Sequence, residues 1–160
     1  MGNVSSVPAF GIPLLGLSTI LTEGGRVALV INEREVEGIL ILDLQGRVVA
    51  GESAGSLRER GNKAAASESR NVIINLKGVD YIDSSGLGTL VAAHSTLAKA
   101  GGALALMNLS KRSAELLILT KLATVFRIFD DEKAAVDSFF PNREVQRFDI
   151  LDFVKNSAKD

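Results

Sequence analysis

Between Arg26 and Phe140 the chain switches repeatedly between short apolar runs and longer stretches of helical spacing. That alternation restricts the fold more than any other feature, because it calls for a mixed sheet with helices packed on it. Val27–Glu33 and Ile39–Leu44 read as strands, and Glu35-Val36-Glu37-Gly38 between them predicts an antiparallel hairpin. Ile39-Leu40-Ile41-Leu42 is apolar on both faces, which makes the second strand central. A helix is predicted from about Ser53 to Ala66, weakened by Gly55 and Gly61. Val72–Leu76 reads as a short buried strand and Lys77–Asp83 as the loop after it. Leu87, Leu90, Val91, His94, Leu97 and Ala98 then lie at helical spacing, and Gly101-Gly102 stops that helix. Ala103–Met107 is the next strand, and Ser110 opens a helix through Leu122. Val125–Ile128 predicts a last edge strand. Asp130-Asp131-Glu132 places acids at the start of a helix that Pro141 ends near Phe140, in keeping with the helix dipole.

A length of 160 residues predicts one domain, over 26–140, with two tails. The first charged residue is Glu23, so 1–25 reads as an apolar N-terminal tail. It lacks the basic start of a signal peptide. Pro8, Gly11, Pro13 and Gly16 interrupt it, and a membrane span needs about 20 apolar residues, so no membrane insertion is expected. The reading that remains is a tail that packs on the domain or on a second copy, as a homodimer contact. Met1-Gly2-Asn3-Val4-Ser5-Ser6 fits the short myristoylation pattern, with nothing else in support. Residues 141–160 form an amphipathic C-terminal tail, read either as a docking helix or as a partner contact.

Composition removes whole classes of chemistry. Eighteen Lys and Arg against nineteen Asp and Glu leave no broad basic surface, so nucleic acid is not an expected partner. Cysteine is absent, which excludes disulfides and thiolate catalysis and fits a reducing, cytoplasmic setting. One histidine, His94, does not make a histidine-rich metal site, and no cofactor is expected.

Two enzyme-like patterns dissolve on inspection. Gly51-Glu52-Ser53-Ala54-Gly55 matches the G-x-S-x-G nucleophile elbow, which needs an acid and then a histidine later in the chain and a larger sheet than this one. Small residues at a strand-to-helix turn explain it better. Ser84 and His94 stand ten residues apart on one helix, about 15 Å, which is beyond hydrogen-bond reach. His94 also falls on the apolar stripe. No P-loop or complete G-x-G-x-x-G occurs. The Asn3 and Asn108 glycosylation matches carry no weight without secretion.

The informative run is Tyr81-Ile82-Asp83-Ser84-Ser85-Gly86-Leu87-Gly88. On spacing alone it is a helix N-cap, in which Asp or Ser accepts backbone N–H bonds. Yet Gly86 and Gly88 both fall in the first turn, each costing roughly 1 kcal/mol relative to Ala. Two such costs predict that another backbone comes close. A phosphate on the serine hydroxyl would meet the positive helix end and add about −1.5 to −2 charges beside Asp83, repelling a partner without refolding.

With Val72–Leu76, Val79–Gly88, Gly101-Gly102, Leu104–Leu106, and Leu116, Leu119 and Leu122 before Val125-Phe126, the chain resembles the STAS domain of bacterial anti-sigma-factor antagonists. With the hairpin and Gly46 the resemblance spans about Val27 to Phe140. It implies an α/β fold: a mixed four- to five-stranded sheet with helices mainly on one face. It implies a protein that is not an enzyme and binds an anti-sigma factor with serine kinase activity, freeing a sigma factor for transcription. The kinase would phosphorylate Ser84, the first serine of the motif, and a serine phosphatase would restore it. Asp83 would present the loop, and Ser85, Gly86, Leu87 and Gly88 would form the contact surface.

The chain departs from the family pattern after Gly46, where Arg47-Val48-Val49 replaces a common acidic residue, and Ala50–Ser56 is unusually rich in Gly and Ser. A scaffold that binds other proteins without phosphorylation, or a module for a small molecule or nucleotide, are the alternative readings.

Overall fold

A computed structural model describes residues 12–23 and 26–158. In chain order they form β1 (Ile12–Glu23), β2 (Arg26–Val36), β3 (Ile39–Val48), α1 (Glu52–Ala66), β4 (Asn71–Ile82), α2 (Ser84–Lys99), β5 (Ala103–Met107), α3 (Lys111–Leu119), β6 (Arg127–Phe129), α4 (Glu132–Asp137) and α5 (Ile150–Ala158). The strands make one sheet in the order β1-β2-β3-β4-β5-β6.

β1, β2 and β3 run antiparallel; β3 to β6 run parallel. The predicted hairpin turns at Glu37 (φ 50°) and Gly38 (φ 81°). Left-handed φ at both central residues is what a two-residue type I′ turn requires. From β3 on, each crossover advances the same way across the sheet. Right-handed crossovers advancing in one direction put their helices on one face, so α1, α2 and α3 share a layer. Their Leu57, Leu90, Leu97 and Leu117 bury against Leu40, Leu42, Ile74, Leu76, Leu104 and Leu106. The opposite face carries a smaller core in which Ala134, Ala135 and Val136 of α4 cover Ile39, Ile41, Ile73, Ala105 and Met107. The alternation of even and odd positions between these cores is the two-residue strand period.

Several expectations change. The sheet has six strands rather than four or five, because Ile12–Glu23, within the stretch read as a tail, pairs antiparallel with β2. The Met1–Ser6 pattern lies outside the described residues. Lys77–Ile82, read as a loop, continues β4. Its apolar alternation is broken because β4 carries two bulges: Asp43 faces Asn75, Gln45 faces Gly78, and Arg47 faces Tyr81. In each of two intervals β4 uses one residue more than β3. α3 stops at Leu119 rather than Leu122, at a Thr120–Lys121 turn where Lys121 has φ 61°. α4 stops at Asp137 rather than near Phe140. In the C-terminal tail, α5 docks through Ile150, Phe153 and Val154 on the main core, beside α3.

Candidate phosphoacceptor site at the head of helix α2

β3 and β4 end side by side, with Val48 facing Ile82, and α1 and α2 begin just beyond them. This is the carboxyl edge of parallel strands, where open α/β sheets place their functional loops. Asp83 leaves β4 and caps α2. Its Oδ1 accepts the Gly86 N–H at 2.8 Å, and its Oδ2 accepts the Ala50 N–H from the neighbouring loop at 3.1 Å. The Asp83 N–H donates to the Val48 carbonyl at 3.2 Å. One residue thus ties the end of β3, the start of α1 and the head of α2 together.

Burial works to raise the Asp83 pKa, but the N–H groups of Gly86, Ala50 and Ser85 outweigh it and hold the carboxyl below its usual value. Asp83 is therefore ionised at neutral pH. Because Asp83 is the cap, Ser84 is the first helical residue and lies exposed. Ser85 is exposed beside it. A phosphate on Ser84 would stand next to a fixed carboxylate that already engages the nearest N–H groups. Repulsion there is stronger than an empty helix end would give.

The two glycines of the motif separate. A Cβ on Gly86 would overlap the Val48 carbonyl oxygen and lie 3.0 Å from the Ile82 side chain. The backbone that comes close to Gly86 is the protein's own, at the end of β3. Leu87 is buried in the main core, 6% exposed, so it anchors α2 rather than lining a contact surface. Gly88 is exposed, with nothing within 4 Å of the place a methyl group would take. Gly88 and Ser85 face Gly51, Gly55 and Arg58 across a groove of about 370 Å³ between α1 and α2. Gly55 is also open, and Arg58 is exposed at the rim. Tyr81, 43% exposed, flanks the site at the end of β4. The Gly and Ser content of Ala50–Ser56 is plain in the sequence, but nothing there assigns Arg58 or Tyr81 to the site.

The enzyme-like residues lie apart from this arrangement. Ser53 is fully buried; its hydroxyl donates to the Val49 carbonyl at 2.9 Å and accepts the Val49 N–H at 3.1 Å. It closes the turn into α1 and offers no exposed nucleophile. His94 packs edge-on against Phe126, with ring centroids 5.7 Å apart, away from Ser84.

The comparisons agree with this architecture. The STAS domain family model matches residues 30–135. The chain is 39% identical over 84 residues to the anti-sigma-B factor antagonist of Bacillus subtilis (strain 168), covering 50% of this chain and 76% of that one. An anti-sigma factor antagonist from Mycobacterium paratuberculosis superposes with a TM-score of 0.61 at 18% identity, over 74% of this chain and 97% of that one. The Bacillus cell fate determinant SpoIIAA in its phosphorylated form gives 0.56 at 18% identity, over 68% and 98%. With the sheet order, the helix layer and the capped serine loop in place, the chain belongs to the STAS domain family.

Proposed function

We propose that this protein is an anti-sigma-factor antagonist, switched off by phosphorylation of Ser84. The unmodified protein binds an anti-sigma factor that is also a serine kinase, and so releases a sigma factor. The kinase transfers phosphate to Ser84, and a serine phosphatase removes it. The exchange takes place in the cytoplasm, and the protein itself catalyses no reaction. Asp83, Ser85 and Gly88 face the partner, while Gly86 and Leu87 support them from inside the fold. The observation that carries the reading is Ser84 itself, exposed at the first position of α2 beside an ionised Asp83 cap. A dianionic phosphate there adds like charge at the contact surface and leaves the cap intact. Two relatives named as anti-sigma factor antagonists, and a structural neighbour solved in a phosphorylated form, support it.

The test is mass spectrometry on protein isolated from its own cells, with affinity capture of bound proteins. One phosphatase-sensitive phosphate on Ser84, and a captured kinase that releases the modified form, are the expected results. Unmodified Ser84 in growth and stress, with capture of unrelated proteins, overturns the proposal in favour of a phosphorylation-independent scaffold.

We also infer a homodimer contact through the N-terminal region. Among the described residues β1, of 12 residues, is an edge strand of the sheet, and a strand edge is a template for another chain. Sedimentation of the full chain against one lacking residues 1–23 tests it: a dimer that becomes a monomer supports the contact, and a monomer in both overturns it.

A further inference from the structure

A row of polar side chains crosses the α4 face of the sheet. Glu132 of α4 pairs with Arg34 of β2, which is 3% exposed. Arg34 Nε donates to Asp43 Oδ2 of β3 at 2.6 Å. Asn75 Nδ2 of β4 donates to Asp43 Oδ1 at 2.9 Å, and Asn108 Nδ2, past the end of β5, donates to Asn75 Oδ1 at 3.0 Å. Asn75 Oδ1 accepts one further bond, from the Lys77 N–H at 3.1 Å.

That last bond falls at the first bulge of β4. Between Asn75 and Gly78 the strand holds one residue more than β3 does between Asp43 and Gln45. An extra residue disrupts the ladder locally and needs a substitute partner for its backbone. The Asn75 side chain is that substitute at Lys77, and Asp43 and Asn108 hold it from both sides. The residue count of β4 decides which way the rest of the strand points its side chains. A slip of one residue moves every side chain to the opposite face. It would turn buried Val79 and Ile82 outward and separate Asp83 from the Val48 carbonyl and the Ala50 N–H.

We propose that Asn75 is a positioning residue for Ser84: its amide locks the bulge that sets where the head of α2 meets the end of β3. The link to the switch rests on Ser84 being the phosphoacceptor; the effect on the loop does not.

The experiment is hydrogen exchange on the full chain with Asn75→Val and Asn75→Thr. The threonine hydroxyl can accept an N–H two residues on, as an ST turn does. Losing the bond speeds exchange over Lys77–Gly86 by about tenfold in Asn75→Val, and leaves Leu104–Met107 of β5 as in the wild type. Asn75→Thr restores most of the protection. A uniform change over both segments, no change, or threonine no better than valine overturns the proposal. Asn108→Gly, which frees Asn75 Oδ1 on one side and keeps the left-handed backbone at φ 60° unstrained, gives the same local pattern at smaller amplitude even if Asn75→Val fails to fold; a wild-type pattern there also overturns it. Where a kinase for Ser84 is in hand, transfer efficiency falls in Asn75→Val and recovers in Asn75→Thr. Equal efficiencies with a loosened loop overturn the positioning role at Ser84. Absence of phosphate on wild-type Ser84 would strike the functional reading instead, and the exchange result would still decide the role of Asn75 in the loop.

Discussion

Gly86 lies against the Val48 carbonyl, so close that a Cβ would stand 2.9 Å from its carbon and overlap its oxygen. Alanine in a helix ordinarily gains about 1 kcal/mol over glycine. Here it meets backbone, and forced overpacking costs roughly 1–3 kcal/mol or more. Gly86→Ala therefore lowers the midpoint of urea unfolding.

Gly88→Ala does the reverse. Nothing occupies the space its methyl would enter, so it raises stability by up to about 1 kcal/mol. The same methyl narrows the groove beside Ser85, so affinity for the anti-sigma partner falls while stability rises. Titration calorimetry beside urea unfolding separates the two effects.

Asp83→Ala removes the α2 cap and the Ala50 link together, lowering stability at neutral pH by roughly 1–2 kcal/mol. The folded-state carboxyl is held below its unfolded value of about 3.9. Its contribution is therefore full above that value and is lost as the pH falls through the folded pKa. The gap between wild-type and variant unfolding curves should hold above about pH 4 and narrow progressively as the pH falls below it.

Ser84→Ala should keep the fold and bind the partner constitutively. Ser84→Asp should weaken binding, since it places a second carboxylate beside Asp83. Equal affinity of both variants for the captured kinase would count against electrostatic release.

Much of the fold is legible in the sequence, for identifiable reasons. The hairpin, α1, α2, β5 and the Ser110 start of α3 obey local signals: a Glu-Gly turn, helical apolar spacing, a double glycine and a serine cap. Lys77–Ile82 reads as a loop because two bulges scramble the two-residue alternation. β1 reads as a tail because Pro13 and Gly16 look like interruptions when only the chain is in view, and its pairing depends on β2. At the site, the motif alone places Asp83 and Ser84 at the helix head. It does not tell the glycines apart, because the neighbour that excludes a side chain at Gly86 comes from β3, 38 positions earlier in the chain. Arg58 reaches the groove only because α1 and α2 are packed together.

The strand order β1-β2-β3-β4-β5-β6 is also the order of synthesis. From β2 on, each strand finds one neighbour already made, so the sheet can grow strand by strand as the polypeptide emerges. Only the β1–β2–β3 hairpins are local connections; each parallel pair from β3 on closes over a whole crossover helix, which is the slower kind of step. The seam between Val48 and Gly86 can close as soon as α2 has been made, before β5 exists. Every residue that builds the serine loop, from Val48 to Gly88, therefore leaves the ribosome before β5 does.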